Sequence, residues 1–135
     1  MSTVIELIEA GTRQLSEAGV AFGQGTANAF DEAAWLVLWR LGLPLDDLDA
    51  VAHRPVAPAD AARVAALLAA RIETRKPAAY LTKEAWLQGV PFYIDERAIV
   101  PRSFIAELLA DGDIDPWLGE HTRRVLDLCT GNGSL

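Results

Sequence analysis

The chain has 135 residues, 19 acidic and 12 basic, giving a formal net charge of −7 with 51% hydrophobic content. That allows one ordinary domain, or a small domain plus part of another, with enough apolar residues for a real core. The acidic balance excludes a general nucleic-acid clamp, which needs a basic face to displace counterions, while leaving room for a basic groove or a basic protein substrate.

Thr3-Val-Ile-Glu6 has the form of a capping box. Behind it, Val4, Ile8, Leu15 and Ala18 fall on one helical stripe, and Gly19 is a plausible stop. Asn28 caps a second helix, expected to run to about Leu41 and to end at Gly42 and Pro44. Its middle, Ala33 to Trp39, is apolar on nearly every side, which predicts a helix wrapped by others with Trp35 and Trp39 in the core. Pro44 to Leu48 suggests a helical turn, and Val51 to Pro58 a connector. From Pro58 the chain is Ala-rich, with Val64, Leu67, Leu68 and Ile72 at helical spacing. Arg71 and Arg75 stand near its end, where the dipole favours cations, and Lys76-Pro77 closes it.

After Pro77 the texture changes. Glu84 to Gln88 and Phe92 to Asp95 read as two strands around a connection at Gly89-Val90-Pro91, and Ala98 to Val100 as a further extended piece. Ser103 caps a helix from Phe104 to Ala110, ended by Asp111-Gly112. A polar connector from Asp113 to His121 leads to a short apolar strand, Arg124 to Leu128, and a glycine loop through Gly133. The expected fold class is therefore mainly α. A small N-terminal helical bundle (1–76) is followed by a β-hairpin linker (77–101), and residues 102–135 supply a first strand and glycine loop.

The glycine loop is the segment that suggests small-molecule chemistry. A strand running into Gly-x-Gly is how an α/β sheet brings backbone N–H groups to a nucleotide-like ligand, although glycine pairs also occur in plain turns. Asp127 orders such a loop by accepting backbone N–H bonds, or simply ends a strand. Thr130 and Asn132 offer hydrogen bonds to a ligand and would be equally ordinary in a loop. Cys129 is the only cysteine, so there is no disulfide framework. It has no histidine placed to activate it as a nucleophile. His53 and His121 stand far apart, and the Asp46-Asp47-Asp49 and Asp111-Asp113-Asp115 groups lack the remaining ligands of a metal cage. Arg102, following the rigid Val100-Pro101 step, either reaches a specific acidic or polar group or makes a surface salt bridge. No apolar run approaches the roughly 20 residues of a membrane span. The N-terminus lacks a signal peptide's features, so a soluble cytoplasmic protein is expected.

Three motifs stand in order: Ala78-Ala-Tyr-Leu-Thr-Lys-Glu-Ala-Trp86, Phe92-Tyr-Ile-Asp-Glu-Arg-Ala-Ile-Val-Pro-Arg-Ser103 and Leu126-Asp-Leu-Cys-Thr-Gly-Asn-Gly133. With them the chain resembles the HemK-like protein-glutamine N-methyltransferases, which use S-adenosyl-L-methionine (SAM). Within that family it is most similar to the branch that modifies a large-subunit ribosomal protein. The release-factor branch usually carries Pro-Glu-Thr-Glu after the Pro-Arg step, whereas Arg102 here leads to Ser-Phe-Ile-Ala-Glu107. The resemblance implies a helical substrate-recognition domain, a hairpin and the start of a Rossmann-like SAM domain. Asp127, Cys129, Thr130, Gly131, Asn132 and Gly133 would form the first cofactor loop, and Ile99, Pro101 and Arg102 would lie on the substrate side.

The family's catalytic Asn-Pro-Pro-Tyr occurs nowhere in the chain, so no catalytic residue is assigned. The expectation is the N-terminal part of a longer enzyme, inactive alone, with a ribosomal protein as partner, no direct nucleic-acid or membrane contact and no metal. The alternatives are a stand-alone protein-binding module, and a release-factor glutamine or adenine-specific DNA methyltransferase.

Overall fold

The first four N–H groups of any α-helix have no partner inside it. The first helix of this chain satisfies all four. In the computed structural model, which describes residues 1–135, α1 spans Val4–Glu17. Val4 and Ile5 donate to the carbonyls of Arg54 and Ala52 at 3.0 and 2.9 Å, and Leu7 to that of Thr3 at 3.1 Å. The capping box closes the set: Glu6 N donates to Thr3 Oγ1 at 3.4 Å, and Thr3 N to Glu6 Oε2 at 2.8 Å. Ser2 adds a further tie, its carbonyl accepting from Val56 N at 2.8 Å.

The chain forms two compact units, Met1–Thr82 and Lys83–Leu135. The first holds α1, α2 (Ala29–Leu41), α3 (Leu48–Val51), α4 (Pro58–Thr74) and α5 (Ala78–Thr82). Asn28 caps α2 through Oδ1, accepting from Asp31 N at 2.9 Å. Gly42, at φ 65°, ends α2 in the left-handed region that glycine enters without a Cβ penalty, letting Leu43 N return to Leu38 O at 2.9 Å. Asp47 caps α3 through a 3.4 Å bond from Ala50 N, which moves the expected turn from Pro44–Leu48 to Leu48–Val51. Pro58 starts α4, where its missing N–H costs nothing.

The buried stripe of α1 is Val4, Ile8, Gly11 and Leu15. Gly11 permits a close approach: a Cβ there would lie 3.1 Å from Leu68 Cδ1 on α4 and 3.4 Å from Ala33 Cβ on α2. Ala33, Leu36, Val37, Leu38, Val64 and Leu68 complete the centre of the core. Each large apolar side chain removed from water there contributes about 1.5–3 kcal/mol. Trp35 packs against this core only partly buried, and Trp39 is half-buried outside it, so the smaller aliphatic residues of α2 fill the centre instead.

A charged pair crosses the same core. Arg71 of α4 and Glu32 of α2 are each 2% exposed, with Nε to Oε2 at 2.9 Å. Thr26 Oγ1 donates to Glu32 Oε1 at 3.0 Å, and Arg71 Nη2 donates to Ala21 O at 2.7 Å. Arg71 is thus a core residue joining α4, α2 and the α1–α2 loop, rather than a cation placed for the helix dipole. Arg75, at φ 59° beyond the end of α4, donates from Nη1 to Ala18 O at 2.7 Å and holds the start of that loop.

In the second unit, β1 (Glu84–Leu87) and β2 (Val90–Tyr93) pair antiparallel, with Trp86 opposite Pro91 and Glu84 opposite Tyr93. The connection is the two-residue turn Gln88-Gly89, with φ of 48° and 74°, so Pro91 lies inside β2 and not in the turn expected for it. Two successive positive φ values match the right-handed twist of a hairpin, which is why the turn is this short. Helix α6 runs Ile105–Ala110, with Ser103 Oγ accepting from Ile105 N at 3.2 Å, and a 3₁₀ turn follows at Asp115–Trp117. Residues 124–128 make no sheet, and Val125, Leu126 and Leu128 are 83%, 79% and 76% exposed. The expected strand fails for a physical reason: an extended segment becomes a strand only against a neighbour that takes up its N–H and C=O groups. The architecture is otherwise the mainly helical one with a small hairpin. No helix is long and apolar enough to cross a membrane.

Two outcomes are expected. Arg71→Met should destabilise the helical unit by about 3–5 kcal/mol, since it strands a buried carboxylate, and adding Glu32→Leu should recover most of that loss. Denaturant titration followed by helical circular dichroism reads both, and an Arg71→Met variant as stable as the parent would exclude the role given to the pair. The bonds from the Thr3 backbone and hydroxyl hold the Glu6 carboxyl below its ordinary value of 4.5. Its support of α1 is therefore fully present above pH 4.5 and lost as pH falls through the lowered pKa. Acid titration should fray α1 only below that point; Thr3→Ala, costing about 1 kcal/mol, should weaken that acid step without removing it, because the backbone N–H at position 3 still donates to Glu6, whereas Glu6→Gln should abolish it.

Candidate functional site

The glycine loop folds back on its own aspartate. Thr130 Oγ1 donates to Asp127 Oδ2 at 2.7 Å, and Gly133 N to Thr130 O at 2.9 Å, closing a four-residue turn. Gly131 and Gly133 take φ of 60° and 77°, and a Cβ at either would meet nothing within 4 Å, so the loop surface is open. Cys129 is exposed at φ 59°, in the region glycine favours. Asn132 reaches across the unit, its Nδ2 donating to Tyr93 O at 3.4 Å. Asp127, Thr130 and Gly133 are therefore brought together by direct bonds, while Asn132 points to the hairpin.

Ile99 is exposed, Pro101 half-buried and Arg102 exposed, flanking the buried Val100. No hydrogen bond joins these three to the glycine loop, and no carboxylate stands within ion-pair distance of Arg102. Its surface salt bridge does not form. His53 and His121 are exposed, and no three His, Cys, Asp or Glu side chains are grouped to hold a metal.

A further polar cluster stands just after β2. Asp95, just after β2, accepts from Arg97 Nε at 2.9 Å, Arg97 Nη2 at 2.7 Å and the Tyr93 hydroxyl at 3.0 Å. Arg97's side-chain and backbone bonds hold the Asp95 carboxyl well below the usual carboxylate range. The same contacts push the Tyr93 phenol and the Arg97 guanidinium up from their ordinary values. The signal was present in Asp95-Glu-Arg97, since an aspartate two residues before a donor commonly closes a turn on itself. In the helical unit, a shallow recess of about 470 Å³ lies between α1 and α4, lined by Gln14, Glu17, Ala18, Ala69, Ile72 and Glu73.

Comparison with known proteins gives the family. Residues 6–82 match the family described as the PrmC N-terminal domain. The chain belongs to that family. Over 98% of its length it is 50% identical to the ribosomal protein uL3 glutamine methyltransferase of Burkholderia pseudomallei, covering 44% of that protein. Proteins of the same name from Bordetella pertussis and Xanthomonas campestris are 47% and 48% identical over the whole chain, which covers 46% and 44% of them. The chain thus spans a little under half the length of these relatives, and its resemblance to the ribosomal-protein branch is borne out.

Replacing Arg97 with Leu should raise the Asp95 carboxyl back toward its ordinary value of 3.8. In the parent Asp95 stays ionised as pH falls below that ordinary value, because its pKa is depressed and its bonds weaken only as pH drops through the lowered value. A carbon-13 titration of the Asp95 carboxyl checks this, and identical titrations in both proteins would contradict the assignment.

Proposed function

We propose that this chain is the N-terminal portion of a SAM-dependent methyltransferase that methylates a glutamine side-chain amide in a large-subunit ribosomal protein, uL3 by the naming of its relatives. The observation that carries the reading is the identity of 47–50% along essentially the entire chain to proteins of that name. In this reading residues 1–76 recognise the substrate, 77–101 link, and 102–135 begin the cofactor domain. The first unit, with its own core, supports a self-contained recognition module. Its α1–α4 recess, whose lining joins the Glu17 and Glu73 carboxylates to apolar Ala18, Ala69 and Ile72, suits a cationic segment of a protein.

The loop fits SAM in its chemistry. Open glycine backbone at Gly131 and Gly133, the Asp127 carboxylate and the Thr130 hydroxyl supply acceptors and donors for a molecule bearing ribose hydroxyls and a cationic amino-acid end. Asp127 and the Cys129–Gly133 backbone would hold it. When bound, SAM supplies the methyl group. Ile99, Pro101 and Arg102 would stand on the acceptor side and orient the amide. An amide nitrogen is a poor nucleophile, so alignment and hydrogen bonds that strengthen with developing charge carry most of the rate. With no Asn-Pro-Pro-Tyr among its 135 residues, the chain alone does not catalyse in this reading. The second reading is a stand-alone module that docks a ribosomal protein, favoured by the independent core of residues 1–82.

Methyl-labelled SAM separates the readings. The complete reading frame containing this chain should place one methyl group on a glutamine of the ribosomal protein, located by mass spectrometry, and the 135-residue chain should place none. Deleting residues 1–75 should raise KM for the protein far more than it alters SAM affinity. Methylation of a release factor or of DNA adenine in place of the ribosomal protein overturns the substrate assignment. Retained protein binding with no transfer by the complete frame favours the docking module.

A further inference from the structure

Ile94 and Val100 are both buried, and between them the chain turns over Asp95–Ala98 before it presents Ile99, Pro101 and Arg102. One carboxylate closes that turn. Asp95 Oδ1 accepts from Arg97 N at 3.0 Å and Arg97 Nε at 2.9 Å. Oδ2 accepts from Arg97 Nη2 at 2.7 Å and from the Tyr93 hydroxyl at 3.0 Å, while the Asp95 carbonyl accepts from Ala98 N at 3.1 Å. The Asp95 side chain is 16% exposed and that of Arg97 84%, so the acceptor is sheltered and the guanidinium lies in solvent. An aspartate that merely caps a turn needs only the bond from the backbone N–H two residues on. The others are charge-assisted and directional, and they clamp the last residue of β2 to the far side of the turn.

From this geometry we infer that Asp95 is a positioning residue for the segment 99–102. By fixing Tyr93 against Arg97, it sets the place and direction in which that segment leaves the hairpin. The inference rests on the proposed acceptor-side role of Ile99, Pro101 and Arg102. Asp95 acts through the backbone of the turn and touches no reacting atom. Its effect therefore belongs to the protein substrate and not to the cofactor.

Two measurements test it. In the complete enzyme, Asp95→Ala should lower kcat/KM for the ribosomal protein about tenfold or more, mainly through kcat, as expected when an acceptor is displaced by a fraction of an ångström. SAM affinity by calorimetry and the melting temperature should stay at parental values. Asp95→Asn keeps an oxygen for the Arg97 backbone N–H and should recover part of the loss. Unchanged kcat/KM in Asp95→Ala, or a loss matched by equal weakening of SAM binding and of thermal stability, overturns the inference. In the 135-residue chain itself, hydrogen exchange at the Arg97 and Ala98 amides should accelerate about tenfold or more in Asp95→Ala, while amides of the helical core keep parental rates. Parental exchange at both sites also overturns it. A parent enzyme that leaves the ribosomal protein unmethylated sinks the functional reading instead, and the exchange result then decides by itself whether Asp95 holds the segment.

Discussion

A carboxylate and a guanidinium removed from water together can be held in very few geometries. Glu32 and Arg71 meet that condition across α2 and α4, with Thr26 and the Ala21 carbonyl taking up further hydrogen-bonding capacity. Apolar contacts among Ile8, Leu36, Val64 and Leu68 drive the helices together without direction. The ion pair adds direction, because a slip of α4 by one residue would leave both charges unpaired in the core. Its net stabilisation is small, since apolar residues of equal volume hold helices as well, and Arg71 Nη1 has no partner within the protein. What the pair supplies is a single register, extended by Arg71 and Arg75 to the loop that joins α1 to α2.

The second unit is organised differently. Its ties are mostly local: a two-residue hairpin turn, an aspartate-closed turn, a one-and-a-half-turn helix and a glycine loop folded on Asp127. Few of its side chains are fully buried, Ala85, Ile94, Val100 and Ala106, and its tail exposes several large aliphatic residues. Such a unit is shaped by hydrogen bonds between near neighbours more than by a core. The long-range bond from Asn132 to Tyr93 is the exception.

Much of the helical unit was legible in the sequence because its signals are local. Thr3 with Glu6, and Asn28 with Gly42, mark helix ends by chemistry that needs no knowledge of neighbours. Where sequence and structure differ, the cause is of one kind. Arg71 looks like a surface cation until Glu32, 39 residues away, is seen opposite it. Trp39 looks like core because its helix is apolar all round, but only packing decides which side faces outward. Gln88 gives no sign of a positive φ, so composition puts the hairpin turn one step late. Arg124 to Leu128 carries a strand's composition, yet composition cannot supply a partner strand. For the candidate site, the glycine loop and the Ile99–Arg102 segment were readable as motifs. The Asp95–Arg97 turn carried a local signal, but the direction of Asn132 and the reach of the Tyr93 hydroxyl to Asp95 did not, because they depend on where β2 ends.

The backbone ladder at the start of the chain has a mechanical meaning. Ser2, Val4 and Ile5 bond to Val56, Arg54 and Ala52, and Thr3 bridges Pro55, so the N-terminus is stitched antiparallel to a segment half a bundle away in sequence. A tension applied at Met1 therefore does not simply unwind α1 from its end. It loads several backbone bonds side by side, and through them the connector between α3 and α4. The end of the chain serves as a fastening for the middle of it, and the two give way together.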